Sequence, residues 1–245
     1  MKLPISKRLL CCASMVPPGA RVADIGTDHG YLGIYLLQAG ISPHVIACDL
    51  RKGPLENARR NARQFGAQDA MEFRLSDGLE KIAPEEIDCA VLAGMGGDLI
   101  VRILSACSWH AREGLTLVLQ PQSAGNVLRR WLYSEGLELL REEPVQDGSF
   151  LYTVMQLRAG SPAPLTPGQE YASPALLQSG NPRVSGARRD RADCNCRGFD
   201  GRGKAAPRAS CLLLAGIARN SGNEETLWRQ FVKFITSYLT LPPPI

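Results

Sequence analysis

The feature that most limits the fold is an alternation of short apolar, β-rich segments with amphipathic stretches, running from residue 20 to about residue 158. Such alternation is typical of crossover units on a parallel sheet. Strands are predicted at residues 21–25, 45–49, 71–75, 87–92, 115–120, 137–141 and 150–157. Helices are predicted where apolar residues recur at three- and four-residue spacing, at residues 31–39, 54–65, 98–107 and 124–134. We therefore expect a doubly wound, Rossmann-like α/β fold.

The two ends of the alternating region add further expectations. The last two predicted strands are joined only by a turn at residues 144–149, so they should pair antiparallel and supply an antiparallel edge strand. Ahead of the first strand, Ile5, Leu9, Ala13 and Val16 recur at helical spacing and predict an amphipathic leading helix. The longest apolar runs are about eight residues, too short to cross a membrane.

The cysteines bear on the compartment. The eight cysteines show no spacing typical of a disulfide framework, and four of them lie inside apolar runs, as small hydrophobic residues do: Cys11, Cys48, Cys89 and Cys107. This usage favours a reducing compartment, and we expect a cytoplasmic protein.

The composition changes after residue 160. Residues 160–182 hold five prolines in 23 positions, which favours an extended linker. Residues 183–245 carry 11 Lys and Arg against 5 Asp and Glu, whereas residues 1–182 carry 17 against 19. The expected organisation is a domain at 1–160, a Pro-rich linker at 161–182 and an atypical basic tail at 183–245. The tail should be partly disordered because residues 183–210 have almost no large apolar residues, and it has one helical pattern at 224–239.

A glycine-bearing turn directly follows the first predicted strand. It reads Asp-Ile-Gly-Thr-Asp-His-Gly-Tyr over residues 24–31 and leads into a helix. Such a turn places backbone N–H groups and the positive end of a helix dipole beside a ligand. Gly26 and Gly30 lack the G-x-G-x-x-G spacing that a pyrophosphate needs, and the Asp28 carboxylate between them would repel phosphate. The turn instead suits an ammonium and a sulfonium, as in the methionine end of S-adenosylmethionine.

Three more predicted strands end in residues suited to the rest of that ligand. Asp49 ends the second strand, where its carboxylate can accept hydrogen bonds from both ribose hydroxyls. Ser76-Asp77-Gly78 follows the third strand and is placed to meet the adenine. The fourth ends in Ala-Gly-Met-Gly-Gly at residues 93–97, which leaves room for a planar group beside the sulfonium methyl. Four strand ends should therefore converge on one crevice.

These residues together resemble the bacterial tRNA (adenine-22, N1)-methyltransferase family. The resemblance is carried by the strings Leu3-Pro-Ile-Ser-Lys-Arg-Leu, Val16-Pro-Pro-Gly-Ala-Arg-Val-Ala-Asp-Ile-Gly-Thr-Asp-His-Gly-Tyr31, Ala93-Gly-Met-Gly-Gly97 and Leu119-Gln-Pro-Gln122. It covers about residues 3–182. The family's helical C-terminal domain is not matched by the Arg-, Gly- and Cys-rich residues that follow, and Cys194 and Cys196 lack a second pair for a metal site. No metal is expected.

The resemblance implies a class I S-adenosylmethionine-dependent methyltransferase that acts on N1 of an adenine in the D-arm region of tRNA. The residues implied for the cofactor are Asp24, Gly26, Asp28, His29, Gly30 and Tyr31 for its methionine part, Asp49 and Leu50 for its ribose, Asp77 and Gly78 for its adenine, and Gly94 and Met95. The residues implied near the target base are Met95, Gly96, Gly97, Gln120 and His29. His29 is open to two interpretations, proton transfer or an orienting hydrogen bond to the cofactor or Asp28.

The chemistry of N1 methylation sets modest demands on side chains. Exocyclic amines are typically methylated by enzymes with an Asn/Asp-Pro-Pro-aromatic motif after the fourth strand, and this chain has Ala-Gly-Met-Gly-Gly there. That difference favours a ring nitrogen, whose lone pair needs no strong base. Because N1 lies on the Watson–Crick edge, the base must be unpaired or flipped out.

A tRNA partner requires a positive surface. The candidate RNA-binding residues are Arg8, Arg51, Lys52, Arg59, Arg60 and Arg63, with Arg129 and Arg130 as a further pair. The alternative for each cluster is an ordinary solvated helix face. Two other functions stay open: a cofactor-binding, RNA-associated protein without turnover, and a methyltransferase for another RNA or a small molecule. A monomer that does not bind membranes is favoured.

Overall fold

The computed structural model describes residues 2–166 and 168–178, with only the backbone described for residues 177 and 178. The basic tail at 183–245, its helical pattern at 224–239, and Cys194 and Cys196 lie outside the described residues. The helices are α1 (Lys7–Ala13), α2 (Tyr31–Gln38), α3 (Lys52–Gln64), α4 (Gly97–Ser105), α5 (Gly125–Ser134) and α6 (Pro174–Gln178). The strands are β1 (Val22–Ile25), β2 (Val45–Asp49), β3 (Met71–Leu75), β4 (Cys89–Met95), β5 (Thr116–Pro121), β6 (Leu137–Asp147) and β7 (Phe150–Ala159).

The strands form one mixed sheet in the order β3-β2-β1-β4-β5-β7-β6. The first five are parallel, and the chain order reverses between β1 and β4. Such a reversal opens a crevice at the carboxyl ends of the strands. The predicted doubly wound α/β fold is confirmed.

Burial along the strands shows where the sheet is covered and where it opens. Every residue of β1 and β2 is buried, as expected for parallel strands with helices on both faces. In β4 the first four residues are buried and the last three are only partly buried. The sheet therefore becomes accessible at the carboxyl end of β4, where the glycine-rich loop begins.

The predicted leading helix is present but shorter than its apolar pattern. It spans Lys7–Ala13 and begins after Ser6, whose side chain accepts a hydrogen bond from the Leu9 N–H. Val16 is buried but lies beyond the helix end. The helix contacts α2 and strands β4 to β7, which places its residues beside the sheet.

The last two strands form the predicted antiparallel hairpin, but its turn is tighter than predicted. Asp147 pairs with Phe150, so only residues 148 and 149 form the turn. Pro144 lies inside β6, the edge strand, where a residue without an N–H is tolerated. β7 runs antiparallel to both neighbours and lies between β5 and β6.

Two connections differ from the helical crossovers found elsewhere in the sheet. In the fully described stretch between β3 and β4 there is no α-helix, only a short 3-10 turn at Pro84–Glu86. Glu86 in this turn is paired with Arg74 of β3, which ties the loop to the sheet. The predicted extended linker is irregular at residues 161–166, but α6 follows, starting at Pro174, with the Ser173 hydroxyl accepting from the Leu176 N–H. Proline is favoured at a first helical position, which explains a helix in a Pro-rich segment.

Within the described residues, the chain divides into two units after Pro164. Within the part of the chain that the structure describes, no helix has the length and hydrophobicity to cross a membrane.

Candidate active site

The turn after β1 is held against the neighbouring strand by its backbone. The N–H groups of Gly26 and Thr27 both donate to the carbonyl of Cys48, each at 2.9 Å. Asp28 has a φ of 51°, an unusual left-handed conformation for a residue other than glycine. The Asp28 N–H donates to Asp49 Oδ2 at 3.4 Å. The turn is therefore bound to the end of β2, where Asp49 lies.

Asp24 is a buried carboxylate at the end of β1. It is 4% exposed and accepts a hydrogen bond from the Thr27 hydroxyl at 2.7 Å. The pKa of Asp24 is raised to about 6, chiefly by burial; the Thr27 hydrogen bond opposes this shift and the nearby Asp49 carboxylate adds to it. Among the described residues no Lys or Arg forms an ion pair with Asp24. The site thus holds a desolvated anion that would gain from a cationic ligand.

The residues that follow Asp24 in the motif are more exposed. The side chains of Asp28 and His29 are 62% and 51% exposed, and His29 Nε2 lies 3.5 Å from Asp28 Oδ2. The His29 ring stacks on Tyr31 with 5.5 Å between centroids. His29 therefore lies beside Asp28, one of the two partners considered for its orienting role, and that role stays a prediction.

Asp49 retains acceptor capacity for a ribose. Its side chain is 8% exposed, and Oδ1 accepts from the Arg51 N–H at 2.9 Å. Oδ2 has the long contact with the Asp28 N–H, so each oxygen keeps a lone pair for a hydroxyl donor. Leu50 next to it is 60% exposed, which leaves an apolar surface beside the carboxylate.

The loop after β3 lies beside that of β2. The Ser76 N–H donates to the Asp49 carbonyl at 3.0 Å, and Asp77 lies 3.8 Å from Arg102 of α4. Gly78 packs so closely on α4 that an added methyl group would lie 2.5 Å from Ile103. A cavity of about 350 Å³ opens on the flank of α4 and borders Asp77.

The loop after β4 approaches both the first turn and β5. A methyl group at Gly26 would lie 3.0 Å from the terminal methyl of Met95, so this side chain lies directly against the first turn. Gly97 begins α4 and packs against backbone: an added methyl would lie 2.6 Å from the Ala124 carbonyl oxygen. The structure therefore brings residues 24–31, 49–50, 77–78 and 94–97 to one edge of the sheet.

Gln120, which was predicted to lie near the target base, is a buried residue whose amide oxygen and nitrogen are both hydrogen-bonded. It is fully buried, its Oε1 accepts from Arg8 and from the Gly94 N–H, and its Nε2 donates to the Pro121 carbonyl. Gln120 therefore lies behind the glycine-rich loop rather than on its surface.

The basic candidates on and near α3 differ in their contacts. Arg51 is 76% exposed, Arg59 lies over the Phe73 ring at 4.7 Å, and Arg60 donates to Asn57. Lys52 and Arg63 are exposed on the same helix. Arg129 is not a surface residue: it is 5% exposed and paired with the buried Glu142, so its proposed contribution to an RNA-binding pair is wrong.

Two residues of the site were missed from the sequence. Thr27 holds the Asp24 carboxylate, and Asp147 lies 3.4 Å from Arg8 Nε. Thr27 lies within the motif and could have been found from its position. Asp147 had no local signal because it is 139 positions from Arg8, and only the fold brings them together. Among the described residues no cluster of His, Cys, Asp or Glu could hold a metal ion.

Comparison with known proteins first defines a class. Residues 5–155 match the family described as Methyltransferase domain. Because this match covers more than half of the chain and the sheet has the doubly wound order described above, the protein is a class I methyltransferase.

Closer relatives define the family. The tRNA (adenine(22)-N(1))-methyltransferase of Bacillus subtilis is 36% identical over 159 residues, which cover 65% of this chain and 67% of that protein. Sp1610 from Streptococcus pneumoniae, solved in complex with S-adenosyl-L-methionine, is 31% identical with a TM-score of 0.70, over 74% of this chain and 85% of that one. The B. subtilis M1A22 tRNA methyltransferase TrmK is 26% identical with a TM-score of 0.69, over 94% of this chain and all of that one. The chain belongs to the tRNA (adenine(22)-N(1))-methyltransferase family.

Proposed function

We propose that this protein transfers a methyl group from S-adenosylmethionine to N1 of adenine 22 in tRNA. The observation that carries the proposal is the convergence of two buried carboxylates, Asp24 and Asp49, with the side-chain-poor loop at residues 94–97. The family membership specifies the acceptor. A cytoplasmic location fits this function, since its substrate is tRNA.

The residues present fit the methyl donor. Asp24 supplies a buried negative charge where an ammonium group would compensate its desolvation. Asp49 has free lone pairs for ribose hydroxyls, and the exposed Leu50 offers an apolar surface beside the ribose. Asp77 and Gly78 border the position expected for the adenine. The bound donor supplies an electrophilic methyl group on sulfonium.

The protein's main task is alignment. An in-line displacement needs the acceptor nitrogen about 3 to 3.5 Å from the methyl carbon, and adenine N1 already has an in-plane lone pair. The loop at residues 94–97 carries only one side chain, that of Met95, and in this proposal the flipped purine lies beside it. His29 orients the turn through Asp28 in this proposal rather than removing a proton.

The tRNA would contact the exposed cations near this crevice. Arg51, Lys52 and Arg63 lie on or next to α3, which starts just after Asp49. Because these side chains are exposed, their contribution should be electrostatic and salt-dependent. Arg59 stacks on Phe73 and Arg60 donates a hydrogen bond to Asn57, so both should contribute less to tRNA binding.

A methyl-transfer assay tests the proposal. The full chain is incubated with labelled S-adenosylmethionine and two tRNA transcripts that differ only at position 22, adenine in one and guanine in the other. Label in the adenine transcript alone, recovered as 1-methyladenosine, is the expected result. Cofactor binding without transfer would select the RNA-associated alternative, and label in another RNA or a small molecule would replace the proposed acceptor.

A further inference from the structure

Arg8 extends from α1 into the space between three distant parts of the chain. Its Nη1 donates to Gln120 Oε1 at 3.0 Å, and its Nε lies 3.4 Å from Asp147 Oδ2 at the tip of the β6–β7 hairpin. A methyl group at Gly94 would lie 2.9 Å from Arg8 Nη1. The guanidinium therefore lies directly behind the glycine-rich loop, and only 26% of the side chain is exposed.

Gln120 connects Arg8 to the backbone of that loop. Its Oε1 accepts from Arg8 and, at 3.1 Å, from the Gly94 N–H. Its Nε2 donates to the Pro121 carbonyl at 3.0 Å. Because the residue is fully buried, an inverted amide would place its NH2 group against two donors and leave them unsatisfied. The Arg8 contact thus favours the amide orientation that holds Gly94.

Residues 94–97 have few side chains with which to fix their own shape. Gly94 has a φ of 80°, and its N–H donates to Gln120 Oε1. The rest of the loop is held by backbone hydrogen bonds: the Gln122 N–H donates to Met95, the Gly97 N–H to Ser123, and the Leu99 and Ile100 N–H groups to the Gly96 carbonyl. The contact with Gln120 is therefore the side-chain hydrogen bond that holds the Gly94 end of the loop. A base lying on this loop would be displaced by a shift of the Gly94 backbone.

We propose that Arg8 is a positioning residue for methyl transfer, acting through Gln120 on the loop at residues 94–97. The inference rests on the proposed function and deepens it, because it assigns Arg8 to alignment of the acceptor base rather than to attraction of RNA phosphates. Lysine cannot replace it, since one ammonium cannot reach both Gln120 and Asp147 with the geometry of a guanidinium.

The experiment compares Arg8→Lys, which keeps the charge, with the wild-type protein in single-turnover methyl transfer at saturating cofactor and tRNA. We expect the rate to fall at least about tenfold, because a small displacement of aligned groups is costly. The dissociation constants for tRNA and for S-adenosylmethionine should stay within about twofold, since charge and cofactor contacts are kept. Lys7→Gln is the matched control: it removes an exposed cation from the same helix and should leave the single-turnover rate unchanged.

A double-mutant cycle tests the path through Gln120. In a Gln120→Leu background, Arg8→Lys should cost less than about twofold in rate, because the contact it disrupts is already gone. Multiplicative effects of the two changes would overturn the inference, as would an Arg8→Lys protein with an unchanged rate and a weakened tRNA dissociation constant. The latter result would assign Arg8 to a phosphate contact.

A direct measurement keeps the inference testable if Gln120→Leu does not fold. Amide hydrogen exchange at Gly94 should accelerate in Arg8→Lys and not in Lys7→Gln, and unchanged exchange would refute the contact. This readout does not depend on the acceptor. If the wild-type protein fails to methylate tRNA, the proposed function fails, while the Gly94 exchange still reports whether Arg8 holds the loop.

Discussion

The two sides of the candidate active site are built in opposite ways. The turn after β1 carries its chemistry in side chains that lie close in sequence, with Asp24, Thr27 and Asp28 inside one motif and Asp49 at the end of the adjacent strand. The loop after β4 carries almost no side chains, and its shape is fixed by Arg8 and Gln120, which are 112 positions apart. In the proposed function the turn after β1 binds a charged ligand through fixed charges, and the loop after β4 receives a planar base, so the two regions have separate tasks.

The charged side should show the largest effect. Asp24→Asn removes the buried negative charge and should weaken S-adenosylmethionine binding by more than about 100-fold, since charged hydrogen-bond partners are worth about 1.5 to 3 kcal/mol and a charge pair is lost as well. The unliganded protein should become more stable, because burial disfavours the ionised carboxylate. Calorimetric titration and thermal unfolding measure the two effects. Equal affinity in the variant would contradict the assignment of Asp24 to a cationic group.

Asp49→Ala tests the second carboxylate of the charged side separately from Asp24. It should cost about 1.5 to 3 kcal/mol of cofactor affinity if the carboxylate accepts ribose hydrogen bonds. Asp69→Ala, at an exposed position before β3, is the control and should leave the dissociation constant unchanged. Titration with S-adenosylhomocysteine in place of the methyl donor should show the same loss, because the ribose is common to both. An unchanged constant would refute the ribose role.

Gly97→Ala tests the side that depends on space. The added methyl group would lie within 3 Å of two carbonyl oxygens, those of Ser123 and Ala124, and backbone cannot move as a flexible side chain does. We expect a loss of about 1 to 3 kcal/mol in the free energy of unfolding and a slower methyl transfer. Gly53→Ala is the matched control, since nothing lies within 4 Å of its added methyl group in α3. Denaturant unfolding of both variants measures the difference, and equal stability would show that the close packing at Gly97 is relieved elsewhere.

Lowering the pH should give the smallest effect. Asp24 has a folded-state pKa of about 6, raised from 3.8, so its protonated fraction grows as the pH falls through 6. Cofactor binding requires the ionised form, and the affinity at pH 5.5 should be about fourfold lower than at pH 8. The same pKa shift makes the free energy of unfolding change with pH in the opposite direction to cofactor affinity. The contribution of Asp24 to the stability of the unliganded protein is most favourable below pH 3.8 and is lost as the pH rises through 6. Titration of wild type and Asp24→Asn isolates this group, because the variant should lose the pH dependence.

Much of the fold and of the charged turn could be predicted from the sequence because the relevant signals are local. Apolar periodicity predicted the strands within a few residues, and the spacing of Gly26, Asp28 and Gly30 separated a sulfonium ligand from a pyrophosphate. The prediction of element boundaries was weaker where contacts between residues distant in sequence determine the structure. β6 was predicted to end before Pro144, but its pairing with β7 continues through that residue. The Pro-rich segment was predicted to be extended, but it contains α6, which Ser173 caps.

The sequence by itself determined which candidate site residues follow each strand and which of those residues carry charge. Only the tertiary structure decided how far each of these residues is buried. Arg129 is a basic residue on an amphipathic helix, yet it is buried against Glu142, and Gln120 is fully buried and accepts a hydrogen bond from Arg8. Periodicity reports which face of an element is apolar, but burial and partners of polar groups depend on elements that are distant in sequence, and their desolvation is fixed only when the whole sheet is assembled.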